Sequence, residues 1–412
     1  MLKTVNIKNF KSVWDLKLDL GRVNVFIGEN GCGKTSILEA ISVASAALSN
    51  KLDQEFLSSR GVRITEPRLM KSAFNISEKD DNIDIDISNT ESDFVNYKIN
   101  YKNKSLVIED FNTNIKPQFS IKEILEVFNK ILSYEKLSAE NNTESEKITE
   151  NKNSKAIPSW LQQFAENSSN DEEKNITTDF VDKSSPQLAK KLNISNFLIY
   201  TPENYFLRRF EEEVQIKPIG VRGEGLFSHL VELFKENPEF YKELSENLKL
   251  INWFDGMEIP PDLSFTEMRL NIRDRFLKES IEYFDQRSAN EGFLYLLFYF
   301  TLFLSNETPE CFAIDNVDNA LNPKLCKELI ERIVVLSKEK QKQIILTTHN
   351  PSILDGLNLK DDDQRLFVIY RNADGHTKAR RIKAPKEIND INIARLSEAF
   401  IRGYIGGLPK NF

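Results

Sequence analysis

The chain is poor in the residues that punctuate or staple a polypeptide. Its 412 residues include 15 glycines, 14 prolines and 3 cysteines. So little Gly and Pro excludes a collagen-like or low-complexity chain. Cys32, Cys311 and Cys326 make no disulfide framework and are expected to be reduced thiols of a cytoplasmic protein. Long apolar runs are missing too. The longest, Phe293 to Leu304, has about 12 residues, where a bilayer needs roughly 20, so no membrane partner is expected. The N-terminus, MLKTVNIKNFKSV, alternates apolar and polar residues and lacks the apolar centre of a signal peptide. Nor is positive charge in excess: 55 Lys and Arg against 63 Asp and Glu give a net charge of −8. A protein that coats nucleic acid is normally basic. Any nucleic-acid contact is therefore expected to be a local patch or to come through a partner.

What is present suffices for a core. The chain is 40% hydrophobic and 29% charged, and its length suits about two to three domains, or one domain with a large insertion. Residues 2–8 alternate like a strand, and Val23 to Ile27 read as a buried central strand, followed by a glycine-rich turn and a helix over 34–48. Residues 83–109 read as a β-meander and 121–133 as an amphipathic helix. Between 138 and 190 the composition turns polar and charged, which predicts a flexible surface segment. The apolar run FLIY marks a strand near residue 199, and 226–249 look helical. An apolar helix over 291–304 then leads to the strand Cys311 to Ile314, a helix over 323–339, the strand Ile344 to Thr347, and terminal strands at 367–370 and 379–382. The fold class is therefore α/β at both ends, around a mixed, mostly helical insertion. The expected divisions are 1–75, 76–280 and 281–412.

Residues 28–35, Gly28-Glu29-Asn30-Gly31-Cys32-Gly33-Lys34-Thr35, satisfy G-x-x-x-x-G-K-[ST] between a buried strand and a helix. Asn30, Gly31, Cys32 and Gly33 let successive backbone N–H groups face phosphates, and the helix N-terminus at Lys34, Thr35 and Ser36 adds partial positive charge. Lys34 would bridge the β- and γ-phosphates of ATP, and Thr35 would ligate Mg²⁺.

A second apolar strand ends in Asp315-Asn316-Val317-Asp318, and a third, IILTT, ends at His349. Asp315 fits either a Walker B carboxylate that holds Mg²⁺ or a helix N-cap. Adjacent parallel strands would bring Asp315 and His349 to the carboxyl edge of one sheet, where doubly wound folds bind ligands. There His349 would sense the γ-phosphate, whereas His229 and His376 read as structural. Asn290-Glu291-Gly292 precede the apolar helix; on their own they read as an N-cap with anion-binding potential.

Taken in order, NFKS (Asn9 to Ser12), GENGCGKT, ANEG, IDNVDNALNP and TTHNP resemble the ABC-type ATPases of the SMC, RecF and OLD-like group. Within it the chain looks like the short ATPase subunits of bacterial abortive-infection modules of the AbiL type, which occur beside a separate effector gene. The resemblance covers roughly 1–75 and 195–412. It implies an ABC-type P-loop ATPase head with nucleotide contacts at Lys11 and Ser12 and Walker A at Lys34 and Thr35. It places a signature motif at Asn290 and Gly292, Walker B at Asp315, a D-loop near Asn319 to Pro323, and a switch histidine at His349. It also implies an ATP-sandwiched homodimer. One departure stands out. The family usually has Asp-Glu where this chain has Asp315-Asn316. An amide orients water but cannot take its proton, so hydrolysis is expected to be slow unless Asp318 substitutes.

The function expected from the resemblance is a nucleotide-gated sensor or regulator in anti-phage abortive infection. It would control a separate toxic effector, for which the resemblance suggests a TOPRIM- or HNH-type nuclease. The alternative is a RecF- or SMC-like ATPase of DNA repair or DNA-end binding. OLD-like proteins fuse this ATPase to a TOPRIM domain. The 63 residues after His349 (412 − 349) are too few for one, so no intrinsic nuclease domain is expected. The basic clusters Arg60, Arg63, Arg68 and Lys71, and Lys378, Arg380 and Arg381, read as ordinary surface or nucleotide contacts.

Overall fold

Alternation followed by continuous apolarity sets the N-terminal architecture. In a computed structural model, which describes residues 1–63, 66–73, 82–102, 105–115, 190–194, 196–210, 216–260, 268–278, 280–384 and 395–408, the alternating segments pair into one sheet. The apolar segment becomes the centre of another. The first part of the chain forms β1 (Leu2–Phe10), β2 (Val13–Asp19), β3 (Val23–Ile27), α1 (Lys34–Leu48), α2 (Gln54–Ser59), β4 (Ile83–Asn89), β5 (Phe94–Lys102) and β6 (Ser105–Thr113). The later part forms β7 (Ile199–Tyr200), α3 (Leu226–Glu236), α4 (Pro238–Leu248), β8 (Phe254–Glu258), β9 (Asn271–Asp274), β10 (Phe284–Asp285), α5 (Glu291–Leu304), β11 (Cys311–Ile314), α6 (Pro323–Glu339), β12 (Gln343–Thr348), β13 (Gln364–Arg371), β14 (Thr377–Ile382) and α7 (Leu396–Ile401).

The central sheet has the order β14-β13-β3-β12-β11-β7. Every residue of β3 is buried, as expected for a strand covered on both faces. It runs parallel to β12 and to β13, and β11 runs parallel to β12 with Ile314 opposite Leu346. A second, antiparallel sheet has the order β2-β1-β4-β5-β6, and its strands show the half-buried alternation of a sheet with one face on a core. This sheet runs across the division drawn at residue 75, because β4 pairs directly with β1. Helix α5 is apolar on every side, and Phe293 through Leu304 are all buried; such a helix belongs inside a core rather than on it. Its rings pack with their neighbours: Phe298 meets Tyr200 edge-on, and Phe303 meets Phe312 of β11.

Several elements differ from the sequence expectation. β2 was not anticipated, although VWDLKLD alternates, because it follows β1 after a turn of only two residues. The helix expected over 226–249 is two helices. Asn237 ends α3 and its side chain accepts from the Phe240 N–H at 3.1 Å to start α4, with Pro238 at the first helical position; Pro suits that position and cannot continue the preceding helix. The strand FLIY is only two residues long, at the sheet edge. The helix expected over 121–133, and the segment 138–190 apart from Lys190, lie outside the described residues. The chain divides into a compact unit of Met1–Thr113 with Lys183–Phe412 and a second of Asn114–Asp182; only Asn114 and Ile115 of the second are described. Among the described residues, no helix is long and apolar enough to cross a membrane.

Candidate functional site

The parallel order β3-β12-β11 delivers three loop starts to one edge of the central sheet: the glycine-rich loop after β3, Asp315 after β11 and His349 after β12. They surround a cavity of about 340 Å³. It is lined by Ser12, Asn30, Gly31, Gly33, Lys34, Thr35, Ser36, Asp315, Asn316 and His349, and also by Arg63 and Arg371.

Across 280 positions of sequence, the Thr35 hydroxyl donates to Asp315 Oδ2 at 2.9 Å. The other Asp315 oxygen accepts from the Thr347 hydroxyl, which in turn accepts from the Asn316 N–H at 2.9 Å. Asp315 therefore caps no helix; the next helix, α6, is capped by Asn322. The Lys34 ammonium folds back on its own loop and donates to the carbonyls of Gly28 and Glu29 at 2.9 and 3.0 Å. Burial holds it below the ordinary lysine value, against the pull of Asp315 and Asp318. His349 is likewise held below the ordinary imidazole value, first by burial and then by the charge of Lys34. It is thus neutral at pH 7, with one N–H to offer.

The glycines are dictated by space. A Cβ on Gly33, whose φ is +105°, would lie 2.1 Å from Thr377 Oγ1, and one on Gly28 would lie 2.1 Å from the Ile369 carbonyl oxygen. Thr377 secures this loop from the far end of the chain, donating to the Cys32 carbonyl at 2.9 Å and meeting Ser12 Oγ at 2.8 Å. Arg371 donates to the Gly31 carbonyl at 2.9 Å.

This donor set fits ATP with Mg²⁺. Gly33 lets the loop pack directly on Thr377 and Ser12, where a Cβ would collide, and successive N–H groups of such a loop can face phosphates. Thr35 and Asp315 offer hard oxygens side by side, with no thiolate or imidazole between them. Mg²⁺ prefers one or two such protein ligands, with water and phosphates completing its shell. Among the described residues, no cluster of three or more His, Cys, Asp or Glu side chains could hold a metal ion. When bound, the ion would neutralise charge on the β- and γ-phosphates.

Other expected site residues are placed differently. Cys32 is buried, with Sγ 3.8 Å from Lys34 Nζ, and does not line the cavity. Lys11 turns away to Glu39, at 2.6 Å. Asp318 lies outside the lining, its carboxylate held by the Thr348 hydroxyl at 2.6 Å. Asn290 caps α5, accepting from the Phe293 N–H at 2.9 Å. A Cβ on Gly292 would sit 3.2 Å from the Ala320 carbonyl oxygen, so the start of α5 abuts the turn after Asp318. Neither Asn290 nor Gly292 lines the cavity of its own chain.

Residues 23–355 match the family model described as "AAA domain, putative AbiEii toxin, Type IV TA system". The chain belongs to this family. It is an ABC-type ATPase of the SMC, RecF and OLD-like group, and membership of a P-loop ATPase family carries ATP binding, with Mg²⁺ as the usual companion. The chain is 34% identical over 88 residues to the OLD nuclease of Thermus scotoductus, covering 19% of this chain and 17% of that protein. It is 37% identical over 75 residues to the DNA replication and repair protein RecF of Lactococcus lactis subsp. cremoris, covering 18% of this chain and 21% of RecF. The chain thus spans about a fifth of the length of these curated relatives. In fold it is similar to the SMC head bound to the C-winged helix domain of ScpA, with a TM-score of 0.53 and 12% identity over 93% of this chain and 98% of that one.

Proposed function

We propose that this chain is an ATP-binding subunit that acts as a nucleotide-gated sensor or regulator of a separate toxic effector in bacterial anti-phage abortive infection. Two copies would sandwich ATP, with Asn290 and Gly292 of each copy facing the phosphate loop of the other. The observation that carries the ATP half of the reading is the hydrogen bond from Thr35 to Asp315, which unites the two magnesium-holding motifs. The switch half is supported by the cavity lining. Asn316 stands where a general base is needed, and Asp318 is engaged by Thr348. ATP would then act mainly by being bound. The AbiEii-type family match supports the defence setting. The effector would be a second protein, a TOPRIM- or HNH-type nuclease by chemistry, acting in the cytoplasm.

The RecF similarity supports a second reading, an ATPase of DNA repair or DNA ends. The basic run that would serve it is largely committed within the chain. Lys378 donates to the Asp15 carbonyl at 3.1 Å, Arg380 to the Ile405 carbonyl, and Arg381 to Asp362. A phage challenge separates the two readings. Cells carrying this gene with its neighbour should be protected, and should lose protection with Lys34→Ala or with the neighbour deleted. Protection independent of the neighbour, or DNA-damage sensitivity as the only phenotype, would favour the repair reading.

A further inference from the structure

One short segment, residues 396–408, rests on two sides of the phosphate-loop cavity without lining it. It comprises α7 and, from residue 403 to 408, a glycine-rich strap. Helix α7 is fastened to the turn Pro351–Gly356, which follows His349 and Asn350. There Ser397 donates to Asp355 twice, from its backbone N–H at 2.9 Å and from its hydroxyl at 2.6 Å. The strap then crosses to the phosphate loop. A Cβ on Gly407 would lie 3.7 Å from Gly28 Cα, 2.8 Å from Val368 Cγ1 and 3.1 Å from the Phe400 ring. Its φ of +86°, after +70° at Gly406, is backbone that favours glycine. Arg380 ties the strap down by donating to the Ile405 carbonyl. The strap's own backbone bonds are local: Tyr404 N–H donates to the Ala399 carbonyl at 2.9 Å and Gly406 N–H to the Gly403 carbonyl at 3.1 Å.

Gly28 is thus clasped between the Ile369 carbonyl and Gly407. Its own carbonyl, with that of Glu29, holds the Lys34 ammonium at 2.9 and 3.0 Å. In this arrangement the loop satisfies its own lysine. A nucleotide phosphate claims the same ammonium. Taking it strips two carbonyls of a charge-assisted donor, so the start of the loop must adjust where the strap rests. Beside that contact is open space: Glu29, Tyr370, Arg371 and Arg380 line a second cavity of about 450 Å³ together with Gly406, Gly407 and Leu408 of the strap. A contact made by small residues next to open space, with local bonds behind it, costs little to open.

We propose that residues 403–408 make an autoinhibitory contact: docked on Gly28, the strap holds the phosphate loop closed on its own lysine, and nucleotide and docked strap disfavour one another. The inference rests on the nucleotide-binding reading of this cavity. Linkage makes the effect reciprocal. ATP loosens the strap, and loosening the strap favours ATP. The strap also carries Tyr404 and Leu408, 71% and 37% exposed. Its release therefore alters the outer surface, so that occupancy of the cavity can be read from outside the chain.

Calorimetry and amide hydrogen exchange on the same samples of the full chain decide it. Saturating ATP should speed exchange at residues 403–408 of the wild-type protein. Gly407→Ala forces a Cβ against Val368, and Arg380→Ala frees the Ile405 carbonyl; neither residue lines the phosphate-loop cavity. Both variants should show the faster exchange without nucleotide. Both should also bind ATP about fivefold tighter or more, the usual scale of coupling between sites. A strap that merely braces the loop gives the opposite sign, weaker binding in both. The proposal is overturned if ATP leaves exchange at 403–408 unchanged, or if a folded variant binds ATP no tighter than wild type. Should Gly407→Ala not fold, Arg380→Ala carries the test, because that side chain is exposed. If the wild-type chain takes up no ATP in the calorimeter, the nucleotide reading fails and the strap's role with it; ATP uptake without a strap response strikes the strap alone.

Discussion

The Thr348 hydroxyl donates to Asp318 at 2.6 Å, one residue before the histidine that faces the cavity. This bond ties the turn after β11 to the end of β12. It also occupies the carboxylate that could have replaced a missing general base, which leaves Asn316 as the residue beside the phosphate loop. Turnover should follow from this. Wild-type hydrolysis is expected to be slow. Asn316→Glu should raise it by about 10² to 10⁴, the usual worth of a positioned base. Asn316 has a φ of +56°, which Asn tolerates better than Glu, so the variant should also lose about 1 kcal/mol of stability. Single-turnover assays with Asp318→Ala complete the test: abolished turnover would mean that Asp318 leaves Thr348 to act as the base.

Replacing Lys34 with Ala removes a buried ammonium whose present partners are two loop carbonyls. Loss of its charge-assisted bonds should cost ATP binding about 1.5–3 kcal/mol per bond, or roughly ten- to a hundredfold each. Titration calorimetry showing wild-type affinity would remove the basis for the Walker A assignment.

Acid should weaken the fold through two imidazoles, the buried His229 and His349 at the cavity. His229 and His349 both titrate below the ordinary histidine value, burial being the larger cause for each. A histidine with a depressed folded value binds its proton more readily when unfolded. Stability therefore rises with pH across the window just below about 6.5 and is lost as pH falls through it. Melting temperatures measured from pH 5 to 8 should show that slope, and His349→Gln should flatten it. An unchanged slope in the variant would assign the effect elsewhere.

If two copies sandwich ATP, one defective chain can complement another. Lys34→Ala spoils the phosphate loop and Asn290→Ala the facing motif, so a mixed dimer keeps one intact composite site. Mixing the two variants should restore part of the ATP-dependent dimerisation that each lacks alone, as read by sedimentation. Asn290→Ala also removes the α5 cap seen at Phe293, at about 1 kcal/mol. Asn290→Ser keeps a capping oxygen and controls for that loss. No recovery on mixing, with both variants folded, would argue against the sandwich.

Much of the central sheet was legible because local signals agree there: Val23 to Ile27 is apolar but for Asn24, and the glycine pattern and the α1 helix follow it at once. Asp315 and His349 were legible as strand ends. Arg371 was not, because its approach to the Gly31 carbonyl depends on β13 lying beside β3, a pairing across some 340 positions. Arg63 was visible only as one of several basic residues; its backbone N–H and Nε donate to Glu39, a lone charge in an otherwise uncharged helix segment. Lys11 carried the right sequence pattern, but it serves the carboxylate rather than the cavity. Asp318 looked as available as Asn316 in sequence, since neither composition nor spacing shows that Thr348 will claim it.

The place of β3 between β12 and β13 has a price in time. Its neighbours begin at Gln343 and Gln364, so about 320 residues must be translated after Ile27 before either can pair with it. At 5–20 residues per second this takes roughly 15–60 s, during which a strand destined to be fully buried and the phosphate-loop residue Thr35 belong to no finished sheet. Nucleotide cannot find its Asp315 in that interval. The ATP site is therefore among the last parts of the protein to exist, and a truncated chain ending before β11 would hold the phosphate-loop motif without a place to use it.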